Sequence, residues 1–343
     1  MRLRSVSVVI AAAVVALSVA GCAPEPEPTP TPTAVTDPTP SATPTADPAG
    51  APEAAFDVTC ADVAAVMSAL VGETDGPVEE RLSLVSSPSW YPGPAQYMMQ
   101  RANGIACSSG GQDRNWTVTI VPGAQVLLDG AIAQGADATV GARCTDYGCF
   151  ADLQFGDVLL SASIAASGFT EADGPRVETE LTSLASSAAD SLHDVTDVPS
   201  AITGIDCATL LSPEALGEQL ATNIELVELS VLGGWSIPAE VYFVANGSPY
   251  CLYAAGQDIY RDQNYLTVTA LPAGAWAFDR IDEATPIEVD GAAAARTSVD
   301  SYDRPVLDLK VGADWIRLTT FDGEGAPDLG PLAAQIVESL TAG

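Results

Sequence analysis

Seven cysteines, a single histidine and 45 carboxylates are the residues of this chain whose types suit them to chemistry. Cys22 stands apart, directly after Val19-Ala20-Gly21. The other six are Cys60, Cys107, Cys144, Cys149, Cys207 and Cys251. Six thiols allow fifteen pairings. None forms a CxxC pair with a flanking histidine, so no metal and no cofactor is expected. His193 would have to serve any Ser-His-Asp or Cys-His apparatus. No Gly-x-Ser-x-Gly, Ser-x-x-Lys or phosphate-cradling glycine loop accompanies it. It falls at the end of a helical stretch, where a histidine meets the negative end of the helix dipole. Paired carboxylates can run glycoside hydrolysis, but among so many acids spacing singles out no pair. Asp300, Asp303 and Asp308, or Asp146 and Asp152, lack the register and closing Glu of an EF-hand loop and read as solvated turn residues. The chain therefore reads as a non-enzyme.

An internal repeat organises the thiols. Phe56-Asp57-Val58-Thr59-Cys60-Ala61 returns around Ile205-Asp206-Cys207-Ala208. Cys107 through Gly111-Gln112-Asp113-Arg114-Asn115-Trp116 matches Cys251 through Gly256-Gln257-Asp258, then Arg261-Asp262-Gln263-Asn264-Tyr265. Arg143 to Leu160 parallels Arg296 to Ile316. The separations of 47 and 44 residues predict Cys60–Cys107 and Cys207–Cys251, leaving Cys144–Cys149 at a hairpin tip. On chain entropy each long bridge stabilises by about 4 kcal/mol and the short one by about 2 kcal/mol.

Within each copy the order reads helix, two strands, helix, three-strand meander and closing helix, the last at Val177–Leu192 and Leu329–Leu340. Alternation such as Trp116-Thr-Val-Thr-Ile-Val121 marks half-buried antiparallel strands. The fold class is α+β: two tandem homologous domains, each an antiparallel sheet flanked by helices and stapled by disulfides. Repeat 1 runs over 55–198 and repeat 2 over 199–343, joined near His193–Ser200. The second copy has extra segments, Ile224–Leu232 and Glu240–Ala245, that align with nothing in the first.

Arg2 and Arg4 followed by the apolar run Val6–Ala20 form a leader too short for a comfortable membrane span. With Gly21–Cys22 it looks like a lipobox: a signal peptide over 1–21, cleaved before a Cys22 that carries lipid. Two acyl chains hold a protein on a membrane stably, on the extracytoplasmic face of the cell membrane. Residues 22–54 are a Pro/Thr-rich tether that buries no apolar surface, reaching roughly 90 Å as polyproline II. The net charge of −32 falls further once Arg2 and Arg4 leave with the leader, which excludes nucleic acid as a partner. A lone lysine, Lys310, and the many alanines suit a high-GC actinobacterium.

Two features suggest binding. The polar hairpin tip Gln112, Asp113 and Arg114 reappears in the other copy as Gln257, Asp258 and Arg261, which suits a binding role, though turns need the same residues. Trp90, Tyr97 and Met98 suit an apolar ligand or equally the packing of a sheet; Trp235 and Trp276 have the same ambiguity. The expected partner is a small apolar ligand or lipid. The alternative is an envelope protein met through the acidic surface.

The lipobox, the Pro/Thr tether, the Cys-Ala-x-(Val/Leu) helix and the second cysteine about 45 residues on resemble actinobacterial envelope lipoproteins. Their ectodomains are similar to the extracellular sensor domain of mycobacterial receptor Ser/Thr kinases. The resemblance implies a helix–sheet sandwich that senses a ligand or partner, with no assigned chemistry and no residue to carry over.

Lipid on Cys22 has a direct readout. The full chain expressed in its host is expected to partition into the detergent phase of Triton X-114, and Cys22→Ala into the aqueous phase. A variant that stays with detergent would place the anchor elsewhere.

Overall fold

The computed structural model describes residues 50–82, 93–111, 114–135, 139–227, 237–280, 284–321 and 326–342. Helix α1 (Cys60–Val71) begins where Thr59 accepts from the Asp62 amide and Asp62 returns a bond to the Thr59 amide, a complete capping box. A 3₁₀ turn (Pro94–Tyr97) runs into α2 (Met98–Arg101) and then β1 (Ile105–Gly110), β2 (Arg114–Pro122), α3 (Ala124–Ala133), β3 (Gly141–Thr145), β4 (Gly148–Phe155), β5 (Val158–Ala166) and α4 (Gly174–Asp190). The five strands form an antiparallel sheet in the order β1-β2-β5-β4-β3.

The second half follows with α5 (Cys207–Leu210), α6 (Pro213–Leu220), β6 (Glu225–Leu226), α7 (Ile237–Glu240) running into a π turn (Val241–Ala245), β7 (Tyr250–Ala254), β8 (Asn264–Leu271), a 3₁₀ helix (Ala275–Arg280), β9 (Thr285–Ile287), β10 (Ala294–Val299), β11 (Pro305–Val311), β12 (Asp314–Thr320) and α8 (Leu329–Thr341). Its antiparallel sheet has the order β6-β7-β8-β12-β11-β10-β9, and the five inner strands repeat the order of the first sheet with a short edge strand added on each side. The segments that align with nothing in sequence thus supply the edge strand β6 and the helical turns before β7; residues 228–236 lie outside the described residues.

The fold is α+β, with two antiparallel sheets flanked by helices. All three expected cysteine pairs are at bonding distance: Cys60–Cys107, Cys144–Cys149 and Cys207–Cys251. Alternation decides what each sheet face meets. In β4, Cys149, Ala151 and Leu153 turn toward a core closed by Val63, Met67 and Leu70 of α1 and Val177, Leu181 and Leu184 of α4. In the second half Leu307, Leu309, Ile316 and Leu318 meet Leu332, Ala333, Ile336 and Val337 of α8.

The opposite faces share a third core. Ala106, Val121 and Leu159 of the first sheet and Tyr250, Leu252 and Ala254 of the second enclose Met98 and Met99 of α2, Leu127 and Leu128 of α3, and Val241 and Tyr242 of the π turn. Asn246 Nδ2 donates to the Met98 carbonyl at 2.8 Å across this layer. Asp314 reaches the joint between the halves, accepting from the amides of Ala273 (2.7 Å) and Ala201 (3.2 Å), and burial raises its pKa above the ordinary carboxylate value.

The β3–β4 tip is closed by the Cys144–Cys149 bridge between register partners. At the matching tip of the second sheet, between β10 and β11, Arg304 Nε donates to Asp300 at 2.7 Å. Asp300 and Asp308 were expected as solvated turn residues. Both are buried, because each faces an arginine that compensates its charge within the fold. Among the described residues no group of three or more His, Cys, Asp and Glu could hold a metal ion, and no helix is long and apolar enough to cross a membrane.

Glu240, at the end of α7, packs against Gly130 of α3, where a Cβ would collide with its carboxylate. Burial raises its pKa above the ordinary glutamate value. A carboxyl with a raised folded pKa favours the native state below the unfolded pKa, and that contribution is lost as pH rises through the folded value. Glu240→Gln is therefore expected to raise the Tm at pH 7.5 by about 2–4 °C per kcal/mol relieved. The gain should vanish near pH 3, below the ordinary glutamate value of about 4.3, where the wild-type carboxyl is protonated in both states. Scanning calorimetry at the two pH values checks it, and an equal gain at both would refute the account.

Candidate functional site

The chain enters the fold along Ala51–Thr59, and this segment is pinned on both sides. The Ala55 amide donates to the Asn103 carbonyl and the His193 amide to the Ala55 carbonyl, both at 2.8 Å, while the Asp57 amide donates to Ser191 Oγ at 3.1 Å. The entering strand forms one lip of a cleft of about 300 Å³. Gly104, Ile105 and Ala106 form its floor, and Gln100, Trp276 and Arg280 face it from α2 and the 3₁₀ helix. Residues of both halves therefore build one site.

Two polar atoms of that lining have no hydrogen-bond partner. Gln100 Nε2 donates to the Glu80 carbonyl at 2.7 Å, which leaves Oε1 buried and unpaired; Trp276 Nε1 is likewise buried and unpaired. An orphaned buried donor or acceptor costs about 1–3 kcal/mol, so a ligand pairing both recovers free energy the empty fold forgoes. The surrounding charges are Glu53, Asp57 and Glu80 against Arg280, whose guanidinium lies 5.0 Å from the Trp276 ring centroid and 5.9 Å from that of Tyr97. His193 stands on the rim with Nδ1 3.1 Å from the Ser191 carbonyl, a backbone acceptor and not a nucleophile.

The wall carrying Trp276 rests on a buried ionic network. Asp308, with no exposed surface, accepts from Trp315 Nε1 at 2.7 Å and from Arg317 Nε and Nη2 at 2.8 Å each. Arg296, its pKa lowered by burial, lies over the Phe278 ring at 4.1 Å. Phe278 and Tyr97 meet Trp315 at 6.3 and 6.0 Å, and Tyr97 meets Trp276 edge-on at 5.5 Å. Gly93 approaches so close that a Cβ there would overlap the Arg317 guanidinium.

The sequence candidates distribute otherwise. Tyr97 and Met98 are buried between the sheets; Tyr97 supports the cleft wall from behind and Met98 fills the shared core. Arg114 donates to the carbonyls of Val71 (2.7 Å) and Glu73 (3.3 Å), tying the start of β2 to the end of α1. Gln257 bonds Glu225 and the Leu226 carbonyl, and Asp258 pairs with Arg261 at 3.6 Å, so these residues hold the second hairpin loop. Among the described residues, Arg114 lines a cavity with Leu70, Val71 and Phe169, and the second hairpin loop lines another with Tyr302 and Phe321. Cys22, Trp90, Gln112, Asp113 and Trp235 lie outside the described residues. Trp276 was legible as an ambiguous aromatic; Gln100, one polar residue in Met98-Met99-Gln100-Arg101, carried no signal.

No protein-family model, no curated protein and no solved structure matches the chain.

Asp308→Asn would leave Arg317 buried without its counter-charge and turn an amide toward donors. It is expected to destabilise the fold by about 3–5 kcal/mol in urea unfolding. A loss below about 1 kcal/mol would show that the network does not hold this wall.

Proposed function

We propose that this chain is a lipoprotein anchored through Cys22 on the extracytoplasmic face of the membrane, and that its ectodomain is a non-enzymatic binding module for a small apolar ligand. Gln100 and Trp276, whose Oε1 and Nε1 are each buried without a partner, line a cleft of mixed polar and apolar walls, and they carry this reading. The ligand they suit has an apolar body, one hydrogen-bond donor and one acceptor. The volume is at the small end of ligand pockets, which favours a compact amphiphile over a diacyl lipid. The shared inner strand order of the two sheets, with a cysteine bridge from the start of the first helix to the first inner strand in each half, supports an origin by duplication into two homologous repeats. Because the cleft draws on both repeats, the tandem arrangement would create a site that one repeat lacks.

The test is native mass spectrometry of the full mature chain released in detergent from its host membrane. We expect an added mass of a few hundred daltons that is lost on denaturation. Trp276→Phe keeps the ring and removes the orphan donor; it is expected to cut occupancy by about fivefold to tenfold while leaving the free protein as stable or slightly more so. A clean apo mass, together with a salt-sensitive cross-link to a basic envelope protein, would overturn the small-ligand reading in favour of the acidic surface as an interaction face.

A further inference from the structure

The second repeat carries a groove that the cleft reading does not use. It holds about 400 Å³ between the β7–β8 loop and the β10–β11 tip, and Tyr260, Tyr302, Phe321, Asp262, Gln263 and Asn264 face it. Tyr260 is 88% exposed and Tyr302 49%. Leaving such rings in water forgoes the burial that aromatic side chains ordinarily obtain. Relative to the first hairpin, the β7–β8 loop is longer by the residues that include Tyr260.

Both loops are braced by internal hydrogen bonds. The Tyr260 amide donates to Asp258 Oδ1 at 3.2 Å, the Asp258 amide to Asp262 Oδ2 at 2.9 Å, and Asn264 Nδ2 to the Ile259 carbonyl at 3.0 Å. On the other side the amides of Tyr302 and Arg304 donate to Asp300 Oδ1 at 2.9 and 3.0 Å. The Arg304 guanidinium, neutralised by Asp300, lies 5.1 Å from the Tyr302 ring centroid and 5.4 Å from that of Phe321, which fixes their planes. Asn264 Oδ1 is buried without a partner. The loops thus hold aromatic faces next to the Asp262 carboxylate and the Gln263 amide, whose Nε2 donates to the Asn264 carbonyl at 2.8 Å.

We propose that this groove binds a neutral oligosaccharide. The apolar C–H face of a pyranose stacks on Tyr260 or Tyr302, and hydroxyls meet the planar groups of Asp262 and Gln263. A phosphorylated or otherwise anionic glycan is disfavoured by the Asp262 carboxylate and the strongly acidic chain. The inference does not rest on the small-ligand cleft, which lies elsewhere and uses other residues.

The test uses the full mature chain in detergent and saturation-transfer NMR with tetramers of glucose, mannose, galactose, arabinose and N-acetylglucosamine. At least one is expected to bind with a Kd of about 0.1–1 mM. Tyr260→Ala should weaken it at least about tenfold and Tyr260→Phe by less than about twofold, with Tm values near wild type because the ring is in solvent. Failure of every tetramer at about 10 mM, equal binding by Tyr260→Ala, or displacement by tetramethylammonium chloride would each overturn the assignment; the last would make the rings a cation site.

Discussion

Long helices cover one face of each sheet, and the other face carries an apolar patch beside polar residues such as Thr119 in the first sheet and Asp308 in the second. The uncovered faces meet through the layer of Met98, Met99, Leu127, Leu128, Val241 and Tyr242. At about 1.5–3 kcal/mol per fully buried side chain, exposing that layer would remove more than the usual margin of a folded domain. The described residues accordingly fall within one compact unit. The cleft depends on this layer, since its floor comes from β1 and Trp276 and Arg280 from beyond β8. Met98 packs in this layer with Ala106 of the cleft floor, which links the layer to the site.

The matching hairpin tips show one constraint met by two chemistries. A three-strand meander needs its far turn held, and the first sheet uses a covalent bridge between register partners where the second uses Asp300 and Arg304. The covalent tip leaves Tyr147 and Phe150 exposed around it. The ionic tip orders an arginine that in turn stiffens two aromatic rings. Exchange of a bridge for an ion pair therefore changes what the tip can display as well as how it is held.

Element order and cysteine pairing were legible because both are spacing problems. Period-two alternation in Phe150–Phe155, 3–4 spacing in the closing helices and a repeated Cys separation need no tertiary information. The shared layer was not legible, because alternation shows that a strand has two faces and says nothing of what covers the second. In sequence Asp308, set between Leu307 and Leu309, reads as a solvated turn residue. In the fold Asp308 is fully buried, as its face meets Arg317 and Trp315 beneath Gly93 from the other half. The same gap hid Gln100, whose importance arises only where α2 passes the 3₁₀ helix.

Charge placement follows from the same layer. The chain has few cations, and four of its arginines, Arg101, Arg296, Arg304 and Arg317, are buried within the fold. Their charges are taken up close by, by Asp197, Asp300 and Asp308, so most of the remaining carboxylates face solvent with few cations among them. The outer surface is thus more acidic than composition alone conveys, and its field repels anions over about a Debye length. Arg280 is one of the exposed arginines, stacked on Trp276 beside Glu53, Asp57 and Glu80. Three carboxylates against one guanidinium leave the cleft net negative, and the acidic exterior repels anions as well. In the proposed binding role, selectivity by charge would be set by the surface as a whole, and selectivity by shape and hydrogen bonding by the few residues where the two halves meet.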